Sequence, residues 1–166
     1  MLFLHSRGWC DGTGGNFSVC LQHDPLQLLM APSGVDKGSV QAEELIVVDA
    51  NGAVIEGNGR ASAETELHQC IMSSVGAGAV LHTHSVAATV LSRVHGCDGF
   101  VQLEGWEMLK GLNGIKSHET TLAIPVVANN QDMQQLSASV KPHLHGPVWG
   151  ILVAGHGLYA WGESLE

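Results

Sequence analysis

The chain has 166 residues and a mass of 17.5 kDa, which is the length of one ordinary domain. Hydrophobic residues make up 45% of it and charged residues only 14%, which excludes disorder driven by an excess of charge. The formal net charge of −9, with only 7 Lys and Arg, excludes a basic nucleic-acid-binding surface. No apolar run reaches the roughly 18 residues of a membrane span, and the four cysteines form no CxxC pair. These features predict a cytoplasmic protein. Ten histidines indicate metal or proton chemistry.

The first third of the chain has the pattern of antiparallel hairpins. The turn-rich segment 8–15 precedes a strand over 16–21, and the apolar segment 26–31 is its expected partner. A second hairpin is predicted from the strand 45–49 into 53–56, because Asn51-Gly52 is a strong hairpin turn signal.

After residue 60 the pattern changes to alternating helices and strands. Ser62 is the expected N-cap of a helix with an acidic first turn, and Ser85 that of a second helix over 86–91. A third helix is predicted over 103–112, with a stop at Asn113-Gly114, and a fourth over 132–140. Strands are predicted over 77–84, over 123–127 with a proline that an edge strand tolerates, and over 149–154 as the last strand. The fold class predicted is α/β, with a central mixed sheet between helical layers in an α/β/α arrangement.

His82-Thr83-His84 is the sharpest local motif. Residues two apart in a strand point to the same side, with Cα atoms about 6–7 Å apart, and both ring nitrogens can reach one ion. Two hydrogen-bonded histidines at a strand end are the structural alternative. His156, between two glycines, is the natural third ligand. Three histidines leave a coordination position open, as in catalytic sites, with Zn²⁺ as the default and other first-row ions possible.

Other residues offer weaker candidates. His143 and His145 have the same spacing but lie among prolines and glycine, which predicts a solvated loop. Glu64 and His68, four apart, form either a facing pair on a helix or a surface hydrogen bond. Candidate acid–base groups are Glu64, Glu104 and Glu107. Apolar neighbours of Glu107 could raise its pKa, and an exposed helical glutamate is the alternative.

Three polar loops could hold a phosphate through backbone N–H groups and hydroxyls, although each alone is also an ordinary turn or cap. They contain Gly14, Gly15 and Asn16; Ser33 and Gly34, with Lys37 nearby; and Ser62.

Five segments together resemble the class II aldolase/adducin family: GTGGNFSV at 12–19, PSGVDKG at 32–38, SAETELH at 62–68, AVLHTHS at 79–85 and GHGLYAWG at 155–162. The resemblance implies a mixed, mostly antiparallel sheet between helices, a sugar-phosphate substrate and a ring-like homotetramer. It also implies one Zn²⁺ per subunit held by His82, His84 and His156. The positions that match the phosphate site are Gly15, Asn16, Ser33, Gly34 and Ser62.

Within the family, PSGVDKG, HTHSVAATVLS and EGWEMLKGLNG are most similar to the methylthioribulose-1-phosphate dehydratases of methionine salvage. That similarity implies a zinc-dependent lyase that removes water from the sugar phosphate, with Glu107 as catalytic acid/base. Glu64 matches the base of the aldolase members. The alternatives are therefore an aldolase or epimerase acting on fuculose or ribulose phosphates, or an inactive adducin-like scaffold.

The resemblance also bears on domain organisation. Family members have a helix before the segment that matches Arg7-Gly8-Trp9 and a long helix after the strand that follows the GHG motif. Only six residues precede Arg7 and four follow Gly162. We therefore expect a single domain over residues 1–166 that is shortened at both termini.

Overall fold

A computed structural model describes residues 1–112 and 114–165. It has nine strands and four α-helices within those ranges. In chain order these are α1 (Leu2–Ser6), β1 (Asn16–His23), β2 (Leu26–Met30), β3 (Ile46–Asp49), β4 (Val54–Glu56), α2 (Thr65–Val75), β5 (Ala79–Thr83), α3 (Val86–Val94), β6 (Phe100–Glu104), β7 (Thr121–Val127), α4 (Met133–Val140), β8 (Gly150–Val153) and β9 (Gly157–Gly162). Short 3₁₀ turns cover Ala42–Glu44, Glu107–Gly111 and Lys141–His143.

The nine strands form one sheet in the order β4-β3-β2-β1-β5-β9-β8-β7-β6. Every neighbouring pair is antiparallel except β7 and β8. The two predicted hairpins, β1–β2 and β3–β4, are present. The sheet is thus mixed and mostly antiparallel, which confirms the predicted fold class.

Helices cover both faces of this sheet. Ile151 and Val153 of β8 belong to the main apolar core beneath α2 and α4, together with Leu67 and Leu136. Leu152 belongs instead to a smaller cluster that includes Ala88 of α3. Because successive strand residues point to opposite faces, α3 lies on the face opposite α2 and α4. This is the expected three-layer arrangement, with β5, β8 and β9 between the layers.

The helix predicted over 103–112 is wrong. Residues up to Glu104 form β6, which pairs along its length with β7. The strand ends at Gly105, whose φ is 72°. Only the 3₁₀ turn Glu107–Gly111 follows. The apolar residues Val101 and Leu103 alternate as in a strand, and cross-strand pairing overrides the helical spacing. Of the predicted stop, Asn113 lies outside the described residues.

Other boundaries differ from the sequence expectations. The helix expected from Ser62 begins at Thr65, and the Ser62 hydroxyl accepts a hydrogen bond from the Glu64 N–H in the preceding turn. The strand over 149–154 is not the last, since β9 follows His156 and pairs with both β5 and β8. α1 was not expected either.

Pro125 lies in β7, which is not an edge strand. It faces Phe100 of β6, and the parallel pairing with β8 begins only at Val126. Pro125, which cannot donate a backbone hydrogen bond, thus lies just before the point where the ladder with β8 begins.

None of the helices in the described ranges combines the length and apolar character needed to cross a bilayer.

Candidate metal centre

The three predicted metal ligands meet where β5 ends. His82 is the fourth residue of β5 and lies opposite Tyr159 of β9. His84 follows directly after β5, and its N–H donates to the Trp9 carbonyl. His156 lies in the tight turn between β8 and β9, where its N–H donates to the Val153 carbonyl. Two adjacent antiparallel pairings therefore bring residues 74 positions apart together.

The ring nitrogens of these histidines converge on one point. His82 Nε2 lies 2.7 Å from His84 Nε2 and 3.3 Å from His156 Nε2. All three ligand atoms lie within 4.8 Å of one another, and within residues 1–112 and 114–165 no other group of three His, Cys, Asp or Glu side chains does so. Tetrahedral ligands at Zn–N bonds of about 2.0–2.1 Å are roughly 3.3 Å apart. The donor set and its spacing therefore fit a transition metal held by imidazoles.

His82 is held in the protonation state that a metal requires. Its Nδ1–H donates to the Leu158 carbonyl at 3.0 Å, which leaves the lone pair on Nε2 facing the other histidines. The side chain is fully buried. Burial lowers the pKa of His82 to about 3, and burial also lowers the pKa of His84. Both rings are neutral at pH 7 and can act as ligands.

Glu64 is the carboxylate that reaches this cluster. Its Oε1 lies 3.2 Å from His156 Nε2 and 3.7 Å from His82 Nε2, and its Oε2 accepts a hydrogen bond from the Asn16 amide. Burial alone would raise the pKa of Glu64, but the hydrogen bond with His156 and the electrostatic interaction with His82 lower it to about 2. An ionised carboxylate therefore lies beside the three imidazoles at neutral pH.

Glycines allow this close packing. A Cβ on Gly157 would collide with the Thr83 carbonyl oxygen and lie 3.2 Å from His82 Cε1, so only glycine permits β9 to pass β5 here. A Cβ on Gly14 would lie 3.2 Å from His84 Nδ1. The turn-rich segment 8–15 thus packs directly over the end of β5.

Of the residues expected around a phosphate, Gly15 and Asn16 contact residues of the centre, whereas Ser33 and Ser62 line a cleft that none of the three histidines lines. Ser33 and Ser62 line one cleft of about 640 Å³, and Arg60 lines it too. Gly34 follows Ser33 in a turn, with a φ of 78°. Gly15 packs against the carbonyl of His82, with its own φ of 78°, and Asn16 begins β1 with its amide on Glu64.

The carboxylates Glu104 and Glu107 have other surroundings. Glu104 ends β6 and accepts a hydrogen bond from Gln102. Glu107 begins the 3₁₀ turn with 68% of its side chain exposed, and its ion pairs are with Lys110 and His118. The catalytic role of Glu107 therefore stays a prediction from the resemblance. His143 and His145 are exposed, as expected.

Glu64 and His68 do not form the facing pair considered above. His68 is buried, with its Nδ1 2.6 Å from Ser18 Oγ, while Glu64 faces the histidine cluster.

Sequence reasoning missed two residues: Tyr159, which lies at the centre, and Arg60, which lines the cleft with Ser33 and Ser62. Tyr159 lies flat against His82, and its position opposite His82 becomes apparent only when β9 is recognised as a strand. Arg60 lacked any signal, because it precedes the SAETELH segment in a loop.

The sequence-family model for the Class II Aldolase and Adducin N-terminal domain matches residues 1–166 of this chain. The chain belongs to the class II aldolase and adducin family. Among its relatives in this family is a methylthioribulose-1-phosphate dehydratase from Sorangium cellulosum, 44% identical over 98% of this chain and 78% of that protein. A protein of the same name from Acidiphilium cryptum is 42% identical, over 98% and 76% of the two chains.

Solved structures of the class II aldolase fold agree with this membership. YgbL from Escherichia coli superposes with a TM-score of 0.81 at 26% identity, over 98% of this chain and 74% of that one. L-fuculose-1-phosphate aldolase from Thermus thermophilus has a TM-score of 0.69 at 26% identity, over 99% and 76% of the two chains.

Proposed function

We propose that this protein is a metal-dependent dehydratase that removes water from 5-methylthioribulose 1-phosphate and gives 2,3-diketo-5-methylthiopentyl 1-phosphate, a step of methionine salvage. The observation that carries the proposal is the convergence of the Nε2 atoms of His82, His84 and His156 beside an ionised Glu64. It occurs in a chain 44% identical to a protein named as that dehydratase.

In this proposal His82, His84 and His156 hold one Zn²⁺ per subunit. When bound, the ion supplies a Lewis acid that polarises the substrate ketone and so acidifies the neighbouring C–H. The Leu158 carbonyl keeps the His82 tautomer suitable for this role. The partly exposed edge at His156, with 20% of its side chain accessible, leaves room for the substrate oxygen.

The chain's other groups bind the substrate and move protons. Gly15, Asn16, Ser33, Gly34 and Ser62 hold the phosphate. A proton leaves C3, next to the ketone, and the C4 hydroxyl departs as water after Glu107 protonates it. The resulting enol is protonated at C4 while its C3 hydroxyl loses a proton, which gives the second ketone, so one water is lost overall. Glu107 returns to its starting state by taking up the proton that the substrate released.

We further propose that the protein is a homotetramer in the cytoplasm. Val86, Val90 and Val94 form an exposed apolar stripe along α3, with 75%, 54% and 67% of each residue accessible. Such a stripe is typical of a surface that another subunit covers. The four cysteines are all free thiols, which fits a reducing compartment.

One observation favours a second function, that of a sugar-phosphate aldolase or epimerase. Glu64, which matches the aldolase base, is the carboxylate in contact with the histidines, whereas Glu107 contacts Lys110 and His118. An aldolase needs one base beside the ion, and Glu64 has that position.

Substrate turnover decides between these functions. Metal-loaded protein is incubated separately with methylthioribulose 1-phosphate, fuculose 1-phosphate and ribulose 5-phosphate, and metal content is measured on the same sample. We expect water loss from the first substrate only. Cleavage or epimerisation of the others, without dehydration of the first, would establish the second function instead.

A further inference from the structure

Lys37 is a buried cation without a carboxylate partner. Only 1% of the residue is exposed, and its Nζ donates to the Val35 carbonyl at 3.0 Å and to the Thr13 carbonyl at 3.4 Å. Within the described residues, no carboxylate oxygen lies within ion-pair distance of that ammonium group. The neighbouring Asp36 carboxylate turns away, accepting from the Gly38 N–H at 2.7 Å and lying 3.5 Å from His5.

A buried ammonium group without an ion-pair partner lowers the stability of the fold. Transfer of an ammonium ion out of water is costly unless an opposite charge compensates it. Burial accordingly lowers the pKa of Lys37, and the nearby Asp36 carboxylate opposes only part of that shift. Two carbonyl oxygens offset only part of that cost. A cation kept under these conditions is suited to an anion that arrives with a ligand.

Lys37 also joins two of the phosphate loops. Its backbone N–H donates to the Gly12 carbonyl at 3.0 Å, and its Nζ reaches Thr13, so one residue fixes the segment before Gly15 from two points. Its Nζ bond to Val35 closes the turn that carries Ser33 and Gly34.

The third loop is attached to this pair. The Ser33 N–H donates to the Arg60 carbonyl at 2.7 Å, and Arg60 lies two residues before Ser62. Ser33 and Ser62 then face the same cleft. The segments that carry Ser33 and Ser62 therefore border one cleft, and Lys37 joins the first of them to segment 12–15.

We propose that Lys37 is a positioning residue for the substrate's phosphate: its buried positive charge, set beneath the loops 12–15 and 33–35, stabilises the bound dianion and fixes both loops around it. The inference rests on the proposed function in one respect, namely that the substrate carries a phosphate. Backbone N–H groups would make the direct contacts, and Lys37 would supply the charge that those neutral donors lack.

Inorganic phosphate is the probe for this site. Its affinity is measured by calorimetric titration of the metal-loaded wild-type protein, of Lys37→Met and of Lys37→Gln, with metal content determined for each. Met keeps the apolar stem and removes the charge, while Gln keeps a donor without the charge. Lys141→Met, which removes an exposed lysine at the end of α4, is the matched control.

We expect both Lys37 variants to bind phosphate about tenfold or more weakly, with metal content unchanged and Lys141→Met equal to wild type. With the sugar phosphate, KM should rise by a similar factor while kcat changes little. Phosphate affinity equal to wild type in either folded Lys37 variant would overturn the inference. Urea unfolding of each variant shows whether it is folded.

The two proposals fail separately. If the wild-type protein dehydrates no substrate but binds phosphate in a manner that depends on Lys37, the proposed function is wrong and this inference stands. If dehydration occurs and Lys37→Met leaves KM and phosphate affinity unchanged, only the role of Lys37 is wrong.

Discussion

The ring of Tyr159 lies flat against the ring of His82, with centroids 3.9 Å apart and planes 11° apart. The two residues face each other across the β5–β9 ladder, and both are fully buried. The Leu158 carbonyl fixes the same imidazole through Nδ1. His82 is thus oriented by a ring on its face and an acceptor at its edge, both supplied by β9.

The stacking predicts that the ring of Tyr159, and not its hydroxyl, supports zinc binding by His82. Tyr159→Leu removes the flat surface and should weaken Zn²⁺ binding by about 10–100-fold, the usual effect of losing support behind a ligand. Tyr159→Phe keeps the ring and should bind zinc within a few-fold of wild type. Competition with a chromophoric chelator measures both affinities. Equal affinities for the Leu and Phe variants would show that the ring does not orient His82.

Gly157 gives a second test of the β5–β9 contact. Because an added Cβ would collide with the Thr83 carbonyl, Gly157→Ala should separate the strands at the metal centre. We expect a loss of about 1–3 kcal/mol in the free energy of unfolding and weaker zinc binding. Urea denaturation and chelator competition report the two effects. Gly146→Ala is the control, since the nearest atom to its Cβ would be an ordinary 3.5 Å away; equal losses in both variants would contradict the explanation.

The convergence of the three histidines could be predicted, for His82 and His84 because a strand places residues two apart on one side, and for His156 because flanking glycines mark a tight turn. Their role as metal ligands stays a prediction. The location of Glu64 in the cluster could not be read from spacing. Its helix begins only at Thr65, so Glu64 lies in a turn from which it points to β5 and not along α2 toward His68. The prediction of a helix over 103–112 is wrong because the chain through Glu104 pairs with β7 and only a 3₁₀ turn follows. Short apolar patterns are decided by tertiary pairing, here with β7.

Glu64 and Glu107 should differ when each is replaced by Gln. Glu107→Gln should abolish dehydration and leave zinc bound, since the side chain is exposed and contacts Lys110 and His118. Glu64→Gln removes the charge beside the histidines and should weaken zinc binding as well as turnover. Turnover and metal content are measured together. Full dehydratase activity in Glu107→Gln would remove that residue from the mechanism.

The apolar stripe on α3 predicts how the subunits associate. Val90→Arg puts a charge in the middle of the stripe, and it should convert the proposed tetramer to smaller species without unfolding them, because Val90 is 54% exposed. Light scattering coupled to size exclusion gives the mass, and circular dichroism checks the fold. Lys141→Arg, an exposed conservative change on the opposite layer, serves as control. An unchanged mass for Val90→Arg would place the subunit contact elsewhere.

His68 predicts how stability depends on pH. It is fully buried on α2, 2.6 Å from Ser18 Oγ, and its Nε2 has no hydrogen-bond partner in the described part of the chain. Burial lowers the pKa of His68 to about 4 from its usual 6.5. Below pH 6.5 His68 binds a proton in the unfolded chain, whereas in the folded protein it binds one only below about pH 4. The contribution of His68 is therefore complete above pH 6.5 and is lost as the pH falls toward 4.

Over that interval the loss amounts to about 3 kcal/mol in the free energy of unfolding. The metal-free protein is the right sample, because protons then do not compete with an ion at the neighbouring histidines. His68→Gln cannot take up the proton, so its stability should fall less steeply between pH 6.5 and 4 than that of wild type. His82 and His84 titrate in both proteins and cancel in the difference. Urea unfolding at a series of pH values measures the two slopes, with exposed His143→Gln as control. Parallel curves for wild type and His68→Gln would mean that His68 is protonated equally in the folded and unfolded states.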